Sequence, residues 1–251
     1  MTVSVLLALA GPLQAWGYDS RFTIRSTNTE PTKSGVLGLV ASALGRSREE
    51  SVEDLAALTF AVRTEQSGVL LEDFQVSLSR DKSESMPLSR RYYLADARFT
   101  AALSGNDELV VKIADALANP VYPLFLGRRS CPPARPVAMR GKHDATRGTG
   151  IREGEAVEVL RTLPAQISAT AGEKLRNLET LRLPLKADTT SDNPHGVTLR
   201  DLPVSYSSKH RKYLPRTFAE LEPAEVPNQF FVPQHVTNPG DDDHNTWDGL
   251  G

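Results

Sequence analysis

Cations cluster directly after an apolar run in the middle of the chain. Residues 124–127 read Leu-Phe-Leu-Gly, then Arg128 and Arg129 follow, and no acid interrupts the later cations, up to Lys142, before Asp144. Paired guanidinium groups fit phosphate oxygens, and a glycine lets another backbone approach closely. The stretch therefore indicates a phosphate-binding loop. Without support from other motifs, a solvated basic loop is the alternative interpretation.

A second candidate anion site lies at the start of a predicted helix. Lys33, Ser34 and Gly35 precede apolar residues with helical spacing that run to Leu44, and Gly45 is a plausible stop. Ser34 is a plausible N-cap. The backbone amides at a helix N-terminus attract anions, so these three residues could also hold a phosphate. Capping alone is the alternative role for Ser34.

Composition excludes several classes of protein. The chain has 251 residues and a formal net charge of -2, which excludes a uniformly basic nucleic-acid binder but allows a local basic surface. Its single cysteine, Cys131, excludes an intramolecular disulfide and a cysteine-clustered zinc site. The sequence has no apolar run of the roughly 18 residues that a membrane helix needs, so we expect a cytoplasmic protein with no membrane partner.

No cofactor is expected. Residues 31–35 read Pro-Thr-Lys-Ser-Gly and contain the Lys-Ser pair of a phosphate loop, but the preceding glycine frame is missing. Acids do not cluster beside histidines as a two-metal nuclease requires. The sequence therefore implies neither ATP nor a metal ion.

The predicted elements that must position these residues follow the order strand, helix, strand, strand, helix, strand. This order predicts an α+β protein with a ferredoxin-like core, the topology of RNA-recognition domains. The strands are expected at 3–10, 59–63, 69–78, 92–103 and 121–126, the second and third of them paired across a turn at 66–68, and the helices at 35–44 and 106–118. Farther along, strands are expected at 155–163, 180–185 and 199–206, with helix-permissive sequence at 173–178.

The composition changes along the chain indicate three regions. We predict a ferredoxin-like core at 1–136 with an insertion near 79–91, a β-rich region at 137–238, and a disordered acidic tail at 239–251. A second basic cluster at 207–216 has no assigned role.

Four motifs occur in order and together carry a family resemblance. They are Leu9–Gly17 (LAGPLQAWG), Pro31–Leu39 (PTKSGVLGL), Arg91–Phe99 (RYYLADARF) and Leu126–Pro132 (LGRRSCP). The chain resembles the CasD-type subunits of type I-E CRISPR Cascade complexes, which belong to the repeat-associated mysterious protein (RAMP) superfamily. The resemblance implies an RNA-recognition-like core with a protruding thumb near 79–91 and a smaller C-terminal β-rich region.

The resemblance also implies a function and partners. It implies a non-catalytic subunit that binds the 5′ handle of the CRISPR RNA and caps one end of a ribonucleoprotein complex in antiviral defence. The implied neighbours are the Cascade backbone subunit and the large subunit that reads the protospacer-adjacent motif, and target DNA near that end is a further possible partner.

Holding a hooked single-stranded RNA needs cations for phosphates, amides near bases and aromatic faces for stacking. Arg128 and Arg129 would bind phosphates, Gln14 could read a base edge, and Trp16 could stack or simply pack. The full set of candidate RNA-binding residues is Gln14, Trp16, Lys33, Ser34, Gly35, Arg90, Arg91, Arg128, Arg129, Ser130 and Arg140.

Two other classes of function remain open. A metal-independent endoribonuclease that processes CRISPR repeat RNA would need a general base and an acid or cation for the leaving oxygen, and His143, Tyr92 and His210 are the candidates. A module that uses its sheet only for protein contacts is the third possibility.

Overall fold

The first strand, β1 (Val3–Ala10), lies inside the main sheet, next to one of its edge strands, and all eight of its residues are buried. The computed structural model describes residues 2–17, 23–139 and 150–233. On one edge β1 pairs antiparallel with β7 (Arg98–Gly105), and on the other with β8 (Ile151–Glu153). The strand predicted at 3–10 is confirmed. Its nearly continuous apolar sequence is typical of a strand that is covered on both faces.

The strands form two sheets. The main sheet has seven strands in the order β10-β11-β9-β4-β7-β1-β8. Its remaining members are β4 (Thr59–Gln66), β9 (Thr180–Asp188), β10 (Val197–Ser205) and β11 (Lys212–Pro227). The small sheet contains β2 (Leu13–Gln14), β3 (Ile24–Arg25), β5 (Val69–Gln75) and β6 (Ser89–Ala95). The antiparallel β4–β9 pair joins the C-terminal strands to the main sheet.

Helices cover both faces of the main sheet. The helices α1 (Lys33–Ala43) and α3 (Asp107–Ala118) pack on one face in the largest apolar cluster of the described residues. The helix α4 (Ala156–Thr162) packs on the other face against Leu6, Ala61 and Ala102. The short helices α2 (Glu53–Ala56) and α5 (Ala169–Lys174) complete the set. The sheet face that RNA-recognition domains often use is therefore occupied here by α4.

Several predicted elements differ in the structure. The strand expected at 155–163 is wrong, because Ala156, Val159 and Leu160 are buried with helical spacing and form the inner face of α4. The segment 121–126 is not a strand. The strand expected at 92–103 is broken at Asp96, whose φ of 57° ends β6 before β7 begins. Strand β5 pairs with β6 and not with β4.

The mixed α+β class with mostly antiparallel sheets is confirmed. The ferredoxin-like assignment and the three-region division stay predictions, and the tail at 239–251 lies outside the described residues. In the described part of the chain, no helix combines the length and apolar character needed to cross a bilayer.

Candidate nucleic-acid interface

The turn at residues 126–131 places the two adjacent arginines. Leu126 N donates to Cys131 O at 2.7 Å, and Cys131 N donates to Arg128 O at 2.9 Å. Gly127 has a φ of 91°, and a Cβ on it would lie 1.8 Å from Ala15 O, so only glycine fits this crossing. The turn is therefore closed on itself and fixed against the residue that follows β2, Ala15.

The Arg128 side chain holds three segments together. Its Nη1 donates to Tyr92 O at 3.0 Å, and its Nη2 donates to Arg25 O at 2.6 Å and to Ser26 O at 3.2 Å. Its guanidinium carbon lies 4.8 Å from the centroid of the Tyr93 ring. The guanidinium of Arg128 is thus hydrogen-bonded to backbone carbonyl groups, which are uncharged and do not neutralise it.

The turn opens onto a large groove, which we call the basic groove. Its volume is about 1260 Å³, and it extends along α1 from Trp16 to Tyr122. Its lining includes Trp16, Arg25, Ser34, Gly35, Gly38, Ser42, Arg46, Arg48, Arg91, Tyr122, Phe125, Gly127, Arg128, Arg129, Arg200, Tyr206, Arg211 and Tyr213. Distant parts of the chain therefore meet in one cleft.

The charge of the basic groove is strongly one-sided. Eight arginines line it, and none of its described lining residues is Asp or Glu. Arg46 is the only one of the eight that pairs with a described carboxylate, since both of its terminal nitrogens reach Asp54. Arg25 and Arg91 are register partners in the parallel β3–β6 pair. Like charges side by side on neighbouring strands are destabilising, and an anion in the groove would relieve this repulsion.

A pair of tyrosines forms the part of the groove that comes from the C-terminal strands. Tyr206 Oη donates to Ser34 O at 2.6 Å, and its ring lies against Gly38. Burial raises the pKa of Tyr206 well above its ordinary value, and burial likewise raises the pKa of the half-buried Tyr213, against the opposing effect of Arg211. Both phenols are therefore neutral at physiological pH.

A buried cluster of two carboxylates and two cations joins α1 to these C-terminal strands. Asp201 accepts from Lys33 N and from Nε and Nη2 of Arg216, each at 2.8 Å. Asp188 accepts from Lys33 Nζ at 2.8 Å and from Arg216 Nη1 at 2.5 Å. Asp201 is buried, whereas its neighbour Arg200 is exposed and lines the groove, at a register shift between β10 and β11.

This cluster corrects the predicted role of Lys33. The Lys33 side chain is buried and also donates to Leu58 O at 2.6 Å. The amide at the start of α1 is already occupied by the Asp201 carboxylate, so the helix N-terminus is not vacant for a phosphate. Thr32, not Ser34, is the N-cap, and its hydroxyl accepts from Gly35 N at 3.2 Å.

Gln14 and Trp16 also have structural roles, which corrects their predicted contacts with bases. Gln14 is fully buried, donates to Leu9 O and Ala97 O, and accepts from Trp16 Nε1 at 2.9 Å. Trp16 is 1% exposed, and a Cβ on Gly35 would lie 2.8 Å from its ring. Position 35 therefore needs a glycine because the Trp16 ring packs against it, and not because a ligand approaches there.

The other predicted residues fall in different places. Arg91 and Arg129 line the groove, with Arg129 exposed. Arg90 is exposed outside the groove lining, 5.5 Å from the Phe74 ring centroid. Ser130 lies 3.4 Å from Tyr93 Oη through its hydroxyl oxygen. Arg140 lies outside the described residues.

Sequence reasoning missed five groove arginines, namely Arg25, Arg46, Arg48, Arg200 and Arg211. The basic cluster at 207–216 was a usable signal for Arg211. Arg25 and Arg200 are isolated cations in the sequence, and Arg46 and Arg48 are followed directly by two glutamates. As for metals, the described ranges contain no group of three or more His, Cys, Asp or Glu side chains that could hold an ion.

Comparison with known proteins gives the class of the chain. The family described as "CRISPR-associated protein (Cas_Cas5)" matches residues 4–219. The chain therefore belongs to the Cas5 family of CRISPR-associated proteins, and the resemblance found in the sequence is confirmed.

Individual relatives make the comparison more specific. The chain is 36% identical, over 158 residues, to the CRISPR system Cascade subunit CasD of Escherichia coli (strain K12), covering 54% of this chain and 69% of that protein. A solved structure titled "CRISPR RNA-guided surveillance complex" matches with a TM-score of 0.69 and 30% identity over 93% of this chain and 95% of that one. Another solved structure, titled "Crystal structure of Cas protein", matches with a TM-score of 0.66 and 33% identity over 91% of this chain and 97% of that one.

Proposed function

We propose that this chain is a non-catalytic, RNA-binding subunit of a CRISPR Cascade complex that holds the 5′ handle of the CRISPR RNA and caps one end of the assembly in antiviral defence. One observation carries the proposal: seven of the eight arginines of the basic groove have no carboxylate partner within the described residues. The match to a Cascade subunit and to a surveillance complex supports the same assignment.

The groove suits RNA for electrostatic reasons. A chain with a net charge of -2 concentrates arginines in one cleft, so its local field there is opposite in sign to its overall charge. Phosphates that enter the cleft would release condensed counterions, which favours binding and makes it salt-dependent. Arg128 shapes this cleft by joining its segments, while Arg129 and Arg211 are exposed and available for phosphates.

The small sheet offers a surface for neighbouring subunits. Large apolar side chains are exposed along β5 and its connection to β6, among them Leu70, Phe74, Leu78 and Met86. An extended exposed apolar surface marks an interaction site. We assign this β5–β6 hairpin to contacts with the Cascade backbone subunit. The large subunit and nearby target DNA would contact the chain at the end of the assembly where the protospacer-adjacent motif is read. The strand order β8-β1-β7-β4 supports a ferredoxin-like core, and the assembly would act in the cytoplasm.

The endoribonuclease alternative is not favoured. Of its candidates, His143 lies outside the described residues, and His210 is exposed away from the groove lining. Tyr92 Oη donates to Glu72 Oε1 at 3.0 Å and does not line the groove either. Incubation of the full chain with repeat RNA in EDTA should leave the RNA intact, and specific cleavage that mutation of His143 abolishes would reverse this conclusion.

Salt-dependent binding of handle RNA tests the proposal. The logarithm of the association constant should fall linearly with the logarithm of salt concentration, as measured by fluorescence anisotropy with the full chain. Replacing Arg129 and Arg211 together by Gln should reduce the slope by about 1.4, because each lost phosphate contact on a single strand removes about 0.7. The control Arg182→Gln removes an exposed arginine outside the groove and should change neither the RNA affinity nor the salt slope. Binding that does not respond to salt would overturn the proposal.

A further inference from the structure

The segment from Val121 to Phe125 after α3 belongs to neither a helix nor a strand, but its first two residues are hydrogen-bonded to the end of α1. Val121 N donates to Ala43 O at 3.0 Å, and Tyr122 N donates to Ser42 O at 3.3 Å. Gly45, with a φ of 76°, leaves its Cβ position to the Val121 side chain, which would lie 2.9 Å from an added carbon. The backbone beneath Tyr122 is thus fixed to the C-terminal end of α1.

The aromatic side chains of this segment face the basic groove. Tyr122 and Phe125 both line it, and Pro123 lies between them in the lining. Tyr122 is 49% exposed, and Phe125 is half-buried. An exposed aromatic ring on a fixed backbone has no internal packing purpose, and it is already oriented for a planar partner that enters the groove.

From this arrangement we infer that Tyr122, with Phe125 in the same groove lining, is a stacking platform for one unpaired base of the bound RNA. The inference rests on the proposed RNA-binding function and adds a contact to the base, which phosphate-binding arginines cannot supply. Bases of single-stranded RNA stack on aromatic side chains in many RNA-binding modules.

A base is a better occupant than a protein side chain because of the charges around the ring. Arg48 and Arg129 line the same groove without a described carboxylate partner. RNA brings a phosphate with every base, so stacking on Tyr122 and neutralisation of these arginines occur together. A protein partner would need to supply a carboxylate beside each apolar contact.

Abasic handle RNA combined with Tyr122 variants tests the platform in the full-length chain. Tyr122→Leu keeps the side chain apolar and exposed, so folding should be intact, and Tyr122→Phe keeps the ring. Stacking on one aromatic residue contributes enough for Tyr122→Leu to weaken binding roughly tenfold, while Tyr122→Phe should bind like the wild type. Because no charge changes, the salt slope should stay constant in both variants.

The RNA is altered in parallel, by removing the base at one handle position at a time. At one position, removal of the base should lower the affinity of the wild type about tenfold. The same removal should not lower the affinity of Tyr122→Leu further, because that variant already lacks the contact. Equal abasic losses with both proteins at every position would overturn the platform while leaving RNA binding established. If Tyr122→Leu binds RNA normally but loses a neighbouring subunit in co-purification, the ring is a protein contact and the inference is wrong. Absence of any salt-dependent RNA binding would instead refute the proposed function.

Discussion

Removal of one charge from the buried cluster at the start of α1 should destabilise the chain strongly. In Asp201→Asn the shape of the side chain is kept, but one oxygen becomes an amide donor. The carboxylate of Asp201 is fully buried and accepts three hydrogen bonds, two from Arg216 and one from Lys33 N. An asparagine that keeps its oxygen at the Oδ2 position still accepts from Lys33 N, but it turns an N–H toward Arg216 Nε.

The magnitude follows from burial and from the number of acceptors lost. Two cations would remain with Asp188 alone, and the Arg216 side chain is only 9% exposed. Breaking a buried ion pair by removing one partner costs about 3–5 kcal/mol, and we expect about 3 kcal/mol because the asparagine keeps one acceptor. This is a large part of the 5–15 kcal/mol that typically separates folded from unfolded protein. For a chain of this size it lowers Tm by about 6–12 °C.

Urea unfolding of the full chain, followed by circular dichroism, measures this loss. The matched control is Glu173→Gln, which removes a carboxylate from an exposed ion pair with Arg176 and should leave the midpoint unchanged. If Asp201→Asn unfolds at the same urea concentration as the control, the buried cluster does not hold the C-terminal strands to α1 and our explanation of the groove's shape fails.

Three further predictions concern the turn beside the groove. Arg128→Lys keeps the charge but cannot reproduce the fork to three carbonyls, so RNA affinity should fall several-fold at an unchanged salt slope; an affinity equal to wild type would contradict the positioning role. Gly127→Ala should abolish soluble folded protein in size-exclusion chromatography, because its Cβ overlaps Ala15 O, and well-folded protein would contradict the turn geometry. Burial raises the pKa of the Cys131 thiol, so iodoacetamide should label it only after unfolding, and rapid labelling of the native chain, read by mass spectrometry, would refute this.

Elements with a local signal were predictable from sequence. Seven of the eight residues of β1 are apolar, which indicates a strand covered on both faces, and helix α3 starts where Asn106 accepts from Glu108 N at 2.9 Å. Helix α4 was missed because a seven-residue helix at 156–162 contains too few turns to separate helical spacing from the spacing of a strand.

The candidate site was only partly predictable for a different reason. Arg128 and Arg129 stand out as neighbours in the chain, whereas Arg25 and Arg200 join them only through tertiary packing. Lys33 looks like a surface cation beside a helix start, and its burial depends on Asp188, which lies 155 residues away in sequence. Partners so distant in sequence leave no local pattern.

Crosslinking of the bound RNA in the assembled complex tests the central claim most directly. Handle RNA carrying a photoreactive base at each position in turn would be irradiated in the complex, and the crosslinked peptides identified by mass spectrometry. We predict crosslinks to residues that line the basic groove, with Tyr122 and Tyr213 among them. Crosslinks that reach this chain only at α4 or at the β5–β6 hairpin would contradict the assignment of the groove as the RNA-binding site.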